Sequence, residues 1–298
     1  MISIQQKMIA SFTRLYPLKS GCLKVAELSI LQKLAVNNKT ASWVHAPGGD
    51  VRVYINELIG RTVYFLGDLD KRLTWISNKL IKKGDTVLDI GANVGIMSLL
   101  FSKNAGINGR VIAFEPHPRI YNDLDAAIKK NQTSNITAYQ LGLGSVPGEF
   151  VLNVPHSNLG LGSLIRSSTE NCDQYIVQVE TLDKIIDDSK IKKIDFMKID
   201  VEGFEYNVLK GAHNTLEKTQ PKVIVFELNN FAGKVKDHKV IKLLSQYDYK
   251  FISIPKCLFK MYTRRLDLDK NSEDIGNDVV AVLSSHYEEV SKCLNMRK

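Results

Sequence analysis

The chain has 298 residues, is 44% hydrophobic, and sets 40 Lys and Arg against 32 Asp and Glu for a net charge of +8. That length and apolar content suffice for one large domain or a domain with an appendage, and the absence of repeats or low-complexity tracts excludes fibrous, solenoid and disordered classes. Cys22, Cys172, Cys257 and Cys293 form no C-x-x-C pair, which excludes a zinc knuckle or a disulfide framework.

The amino-terminal stretch places Ile4, Met8, Ile9, Phe12 and Leu15 near helical spacing, but Gln5, Gln6 and Lys7 interrupt it, so it lacks the apolar run of a signal peptide. No stretch approaches the ~20 apolar residues that span a bilayer. Together with the scattered thiols, this leads to the expectation of a cytoplasmic protein with no transmembrane segment. The positive charge favours anionic partners. The lysines are dispersed, however, so a solvated basic surface is expected and nucleic acid is disfavoured.

In chain order, residues 1–45 read as helical, with Leu23, Ala26, Leu28, Leu31 and Leu34 near one face. Pro47-Gly48-Gly49-Asp50 is a turn, and Val51, Val53 and Ile55 alternate as in a short strand. Residues 69–82 again have helical spacing. From Gly84 short apolar runs alternate with helical patterns, giving strands at 86–90, 110–115, 135–141, 194–200, 222–228, 250–254 and 278–283. This pattern predicts an α/β fold: a mostly parallel sheet with helices on both faces. We divide the chain into an amino-terminal helical and short-strand extension (1–83) and a main domain (84–298). Residues 148–154 and 174–182 form an antiparallel pair within it. The glycine- and serine-rich stretch between them has the length of a lid or binding loop.

The strongest chemical signal is Asp89-Ile90-Gly91-Ala92-Asn93-Val94-Gly95 between a strand and a helix, where open α/β sheets bind ligands. Gly91 and Gly95 allow a sharp turn against a ligand. A dinucleotide fingerprint needs G-x-G-x-x-G, and Asn93 and Ile96 break it. Asp89 at the strand end would repel a pyrophosphate and attract an ammonium or sulfonium group. Glu115 ends the next strand, near the interval expected for an acid that accepts ribose hydroxyls. Asp200 and Glu202 close a further strand beside the same crevice. They are candidates for binding the ammonium, holding an acceptor or removing its proton. Glu205 reads as a helix N-terminal acid. His156, in the insertion loop, and His117, after the ribose acid, are the nearest histidines, and His156 is the candidate base. No metal is assigned.

The runs LDIGANVG, AFEP, LGLGSVPG (141–148), VETLDKII (179–186), FMKIDVEGFEYNVLKGA (196–212) and VIVFEL (223–228) together resemble the FkbM family of S-adenosylmethionine-dependent methyltransferases, from about Gly84 to Asn229. The resemblance implies a class I methyltransferase, Rossmann-like sheet whose last strand is reversed. It also implies O-methylation of a sugar, glycan or natural product. By match to the family motif, Asp89, Gly91, Asn93 and Gly95 would cradle the methionine end, Glu115 would hold the ribose, and the segment around Gly142 would lie beside adenine. Residues 1–83 would carry acceptor specificity or the contacts of a homodimer. The competing readings are a nicotinamide-dependent Rossmann oxidoreductase, which the broken glycine fingerprint and Asp89 argue against, and a catalytically inactive nucleoside-binding module.

Overall fold

The computed structural model describes residues 2–15, 17, 19–155, 162–164, 172–228, 231–255, 259–271 and 278–297. Three helices open the chain, α1 (Ile4–Thr13), α2 (Cys22–Ala26) and α3 (Ser29–Ala35). The first is closed by a capping box in which Ser3 and Gln6 exchange side-chain and backbone hydrogen bonds. A hairpin of β1 (Ser42–Ala46) and β2 (Gly49–Val53) follows, then α4 (Leu58–Leu66) and α5 (Lys71–Leu80). The turn at 47–50 falls where the sequence placed it, but β1 and α4 were not anticipated. β1 exposes Trp43 and His45 and buries Val44 and Ala46, an alternation that conflicts with the helical reading of residues 1–45, while α4 is buried nearly all round and has no one-faced period to read.

The main sheet is built from β3 (Thr86–Ile90), β4 (Arg110–Phe114), β5 (Ile136–Tyr139), β9 (Phe196–Ile199), β10 (Val223–Glu227), β11 (Tyr249–Ser253) and β13 (Asp278–Leu283), with β12 (Thr263–Arg265) and β14 (Met296–Arg297) added at one edge. Its order is β14-β12-β11-β13-β10-β9-β3-β4-β5. The strands from β5 to β10 are parallel, and β13 runs antiparallel to both of its neighbours, the reversed strand that the resemblance implied. The two short edge strands were not anticipated. A separate three-stranded sheet joins β6 (Gly142–Leu143), β7 (Gly148–Pro155) and β8 (Cys172–Glu180), with β7 and β8 antiparallel as expected. Helices α6 (Ile96–Ala105), α7 (Pro118–Lys130), α8 (Leu182–Asp188), α9 (Glu205–Lys210), α10 (Lys239–Gln246) and α11 (Tyr287–Cys293) complete the fold.

Side chains alternate across a strand, and in this sheet both faces are covered, so the central strands read as continuous apolar runs. Val87, Val111, Phe196, Val223 and Val225 face one cluster, while Leu88, Ile112, Met197, Ile224 and Phe226 face the other. The first cluster also takes in Ala26 and Leu31 of the opening helices, Val44, Val51, Val63 and Phe65, so residues from the amino-terminal 83 share a core with the sheet. Among the described residues no helix is long and apolar enough to cross a membrane.

This shared core generates a test. Phe65 is fully buried, and its truncation to Ala should cost ~3–5 kcal/mol. The chain has two tryptophans, Trp43 and Trp75, both before residue 84, whereas far-UV circular dichroism reports every element. In urea the two signals should give coincident midpoints in the parent protein, and both should fall together in Phe65→Ala. Earlier loss of fluorescence would show that the extension melts on its own.

Candidate functional site

A cavity of about 790 Å³ opens at the carboxyl ends of the parallel strands. On one side it is lined by Gly91, Asn93, Glu115, His117, Gly142 and Leu143, and on the other by Asp200, Glu202, Glu227 and Asp278. Lys19–Val25, Leu58, Ile59 and Leu69–Leu73 close over it from the amino-terminal segment. The sequence did not single out these covering residues, because their spacing records the faces they bury and not the ligand they meet.

Gly91 has φ of 77° and Gly95 of 89°, conformations that side chains resist. A Cβ on Gly91 would collide with the carbonyl oxygen of Asp200, so only glycine lets the β3 loop lie against the end of β9. Gly95 differs from expectation. It is not on the cavity wall, and a Cβ there would fall 2.6 Å from Leu124 Cδ1, so its role is the close packing of α6 on α7. Asn93 adopts a left-handed φ of 51°, which Asn tolerates better than most residues.

The hydrogen bonds of this loop are turned inward. Asn93 N donates to Glu115 Oε2 at 2.9 Å and His117 N to Glu115 Oε1 at 2.9 Å. Val94 N donates to Asn93 Oδ1 at 2.8 Å, and Gly95 N to the carbonyl of Ala92 at 3.0 Å. Glu115 is thus fixed by both oxygens, each of which keeps capacity for a further donor. Burial pushes its carboxyl up to about 7, against the pull of those two backbone donors.

Asp89 requires a correction. It is fully buried and does not line the cavity. Its Oδ2 accepts from Ser98 Oγ at 2.5 Å, and its Oδ1 lies 3.3 Å from Lys198 Nζ. Its charge therefore faces an internal cation, not a ligand ammonium. Lys198 also donates to the Gly91 carbonyl at 2.8 Å and lies 3.4 Å from Asp200 Oδ2. Burial opposes the charge on Lys198, but the Asp89 and Asp200 carboxylates outweigh it and hold the ammonium above its ordinary range. The signal for Lys198 was present in MKID, a lysine inside an otherwise apolar strand, and it was passed over.

Asp200 sits at the cavity with its side chain 43% exposed. Glu202 lines the same wall with a left-handed φ of 52°. Glu205 reads as expected, its Oε1 accepting from the backbone of Val201 at 3.3 Å and Gly203 at 3.2 Å at the start of α9. Gly142, on β6, lines the opposite side near Val179. His156 and most of the expected lid lie outside the described residues. The described part, 162–164, returns to the cavity, where Ser163 Oγ donates to the Glu202 carbonyl at 3.1 Å and Gly162 and Leu164 line the wall.

His117 is more than a polar loop residue. It caps α7, with Nδ1 accepting from Arg119 N at 3.1 Å, so Nε2 carries the proton. That Nε2 is buried at the cavity with no hydrogen-bond partner among the described residues. Burial lowers its pKa and keeps the ring neutral. The ring lies 4.4 Å from that of Tyr175.

Breaking the buried pair should be costly, since an uncompensated internal charge costs ~3–5 kcal/mol. Lys198→Met is expected to lower unfolding free energy by about that amount. Adding Asp89→Asn should recover part of the loss. Urea denaturation of both single variants and the double variant checks this, and losses in the double variant that equal the sum of the single losses would mean that Asp89 and Lys198 are energetically independent.

A family model described as Methyltransferase FkbM domain matches residues 89–251. The chain is 27% identical to hexuronic acid methyltransferase AglP of Haloferax volcanii over 165 residues, 55% of this chain and 63% of that protein. It is 28% identical to methyltransferase sdnD of Sordaria araneosa over 154 residues, 42% of this chain and 59% of that protein. Each relative is therefore spanned over less than two-thirds of its length. A solved SAM-dependent O-methyltransferase of Thermotoga maritima aligns at a TM-score of 0.43 and 14% identity, covering 81% of this chain and 77% of that one.

Proposed function

Because this chain belongs to the FkbM methyltransferase domain family, whose model matches residues 89–251, we propose that it transfers the methyl group of S-adenosylmethionine to a hydroxyl oxygen on a sugar, glycan or natural product. The observation that carries this reading is the inward-turned loop. A pyrophosphate is held by free backbone N–H groups at a helix N-terminus. Here the amides of Asn93, Val94 and Gly95 are taken by Glu115, Asn93 Oδ1 and Ala92. The loop suits a nucleoside cofactor without phosphates, which argues against the nicotinamide alternative. The four acids on the opposite wall, Asp200, Glu202, Glu227 and Asp278, support a working enzyme over a module that has lost activity.

The residues present fit that cofactor. Glu115 would accept the ribose hydroxyls in charge-assisted hydrogen bonds, each worth ~1.5–3 kcal/mol. The backbone at Gly91 and Asn93, on the cavity wall, would hold the methionine arm. Gly142 and Leu143 would flank the adenine, on the wall where His117 Nε2–H has no hydrogen-bond partner among the described residues. Asp89 acts from behind, holding Lys198 in place, and Gly95 acts through packing. When bound, S-adenosylmethionine supplies a methyl carbon already activated by its sulfonium. The protein's task is then alignment of the acceptor oxygen and removal of its proton, and alignment alone is worth up to ~7–11 kcal/mol. Asp200 and Glu202 line the acceptor side. The AglP relative is named for action on a hexuronic acid, which supports a carbohydrate acceptor. The net positive charge mildly favours a glycan that carries anionic groups elsewhere on its chain.

Glu115 gives this reading a pH signature. Its carboxyl sits near 7 in the folded protein against 4.5 ordinarily. A group raised in this way favours folding most when protonated, so its contribution is lost as pH rises towards 7. Ribose binding needs the ionised form. Affinity for S-adenosylhomocysteine by calorimetry should therefore strengthen as pH rises through about 7, and Glu115→Gln should abolish most of that slope while weakening binding by ~1.5–3 kcal/mol. Tight binding of NAD, with none of S-adenosylhomocysteine, would overturn the proposal.

A further inference from the structure

Three acids stand side by side at adjacent strand ends: Asp200 after β9, Glu227 at the end of β10 and Asp278 at the start of β13. Glu227 is directly paired with Asp278 across the antiparallel ladder and lies one residue beyond the Phe226–Ile199 pair, level with Asp200. All three line the cavity. The outer two have cationic partners: Asp200 has Lys198, and Asp278 has Arg72, which also reaches Asp70 at the start of α5. The carboxyl of Glu227, between them, makes no hydrogen bond or ion pair among the described residues. Strand spacing of ~4.8 Å puts it two strands, roughly 10 Å, along the sheet from the β3 end that carries Gly91. That is the acceptor side of the cavity.

We propose that Glu227 is the general base for the acceptor, and that the acceptor is an uncharged hydroxyl rather than a carboxylate. The inference rests on the methyl transfer to oxygen proposed above. In the step, Glu227 takes the hydroxyl proton as the oxygen forms its bond to the methyl carbon. The S–CH3 bond breaks and its electron pair returns to sulfur, so the products are an ether, a neutral thioether and a protonated Glu227 that then releases its proton to water. A carboxylate acceptor would have no proton to give. It would also meet a wall of like charge from Asp200, Glu202, Glu227 and Asp278.

The groups facing Glu227 are Asp200 and Glu202 from the β9 turn, Asp278 from β13 and Asp70 from the start of α5, with Lys198 and Arg72 drawn to the flanking acids. Burial first, then these like charges, push the Glu227 carboxyl up to about 8, close to the range in which a base is effective at neutral pH.

The test uses the full chain, labelled S-adenosylmethionine and three probes: methyl β-D-glucopyranoside, methyl α-L-rhamnopyranoside and methyl β-D-glucuronide. The expected product is an alkali-stable methyl ether, with kcat rising as pH approaches about 8. Glu227→Gln should lower kcat on the order of 10²–10⁴-fold and flatten that rise. Its affinity for S-adenosylhomocysteine should stay unchanged, and Glu227→Asp should keep part of the rate. A readout independent of turnover accompanies this. Ionising a carboxyl raised to about 8 costs the folded state, so the Tm advantage of Glu227→Gln over the parent should grow as pH rises through that value. An unchanged rate and pH profile in Glu227→Gln would overturn the proposal. So would an alkali-labile ester as the sole product, loss of cofactor binding in the variant, or activity abolished by EDTA and restored by Mg²⁺. If the parent binds S-adenosylhomocysteine yet methylates none of the probes, the hydroxyl-transfer reading fails first and this inference falls with it.

Discussion

The ammonium of Lys198, buried among Asp89, Asp200 and the Gly91 carbonyl, is the interaction on which the site depends. It sits between the ends of β3 and β9, which pair in parallel through Ile90 and Ile199. Strand pairing alone would bring the two loops close. The lysine fixes their relative positions by satisfying a carbonyl of one and carboxylates of both. Desolvating such charges costs several kcal/mol per ion, so the arrangement contributes specificity of geometry more than net stability. Gly91 completes the constraint, because any side chain there would separate the strands that Lys198 joins.

From that junction the cavity acquires two chemically different ends. Towards β4 and β5 the wall is a backbone-rich cradle, with one carboxylate, Glu115, held by two amides and turned to the cavity. Towards β10 and β13 the wall is acidic, with Lys198 paired to Asp200 and Arg72 to Asp278. Low local polarity strengthens each of these charges, which raises both the cost of crowding acids together and the effect of leaving one without a partner. Glu115 and Glu227 are the two cavity carboxyls pushed up to about 7 and about 8, and they stand at opposite ends. Clusters of displaced titration of this kind are more common at working sites than in structural cores.

The amino-terminal segment is part of this design. Its helices share the core on one face of the sheet, and residues 19–25 and 69–73 close over the cavity mouth. Opposite them, Ser163 ties the described part of the long insertion to the Glu202 carbonyl. The acidic end of the cavity is thus bounded by the two segments that differ most from a bare α/β sheet, which is where loops carried on a rigid scaffold commonly set specificity.

The succession of strands and helices, the hairpin of β7 and β8 and the glycine loop were legible in the sequence, because they rest on local rules, whereas the reversed β13 was implied only by the family resemblance and the spatial order of the strands came from the tertiary structure. Apolar runs of strand length between helical periods specify a parallel sheet covered on both faces, and a strand–glycine–helix junction marks its ligand edge. Glu115 and Asp200 were legible for the same reason: each is a polar residue where an apolar run ends. The direction in which a side chain is used was not legible. Asp89 and Glu115 both stand at the ends of neighbouring strands, yet one is turned into the core towards Ser98 and Lys198 and the other lines the cavity. Gly91 and Gly95 look equivalent in sequence, but one answers to Asp200 on β9 and the other to Leu124 on α7. Glu227 gains its place only because β9 and β13, distant in the chain, bring Asp200 and Asp278 alongside it. Local patterning sets which residues reach a strand end. Which charges meet there is decided by long-range pairing, since electrostatic partners are defined by distances that no sequence spacing encodes.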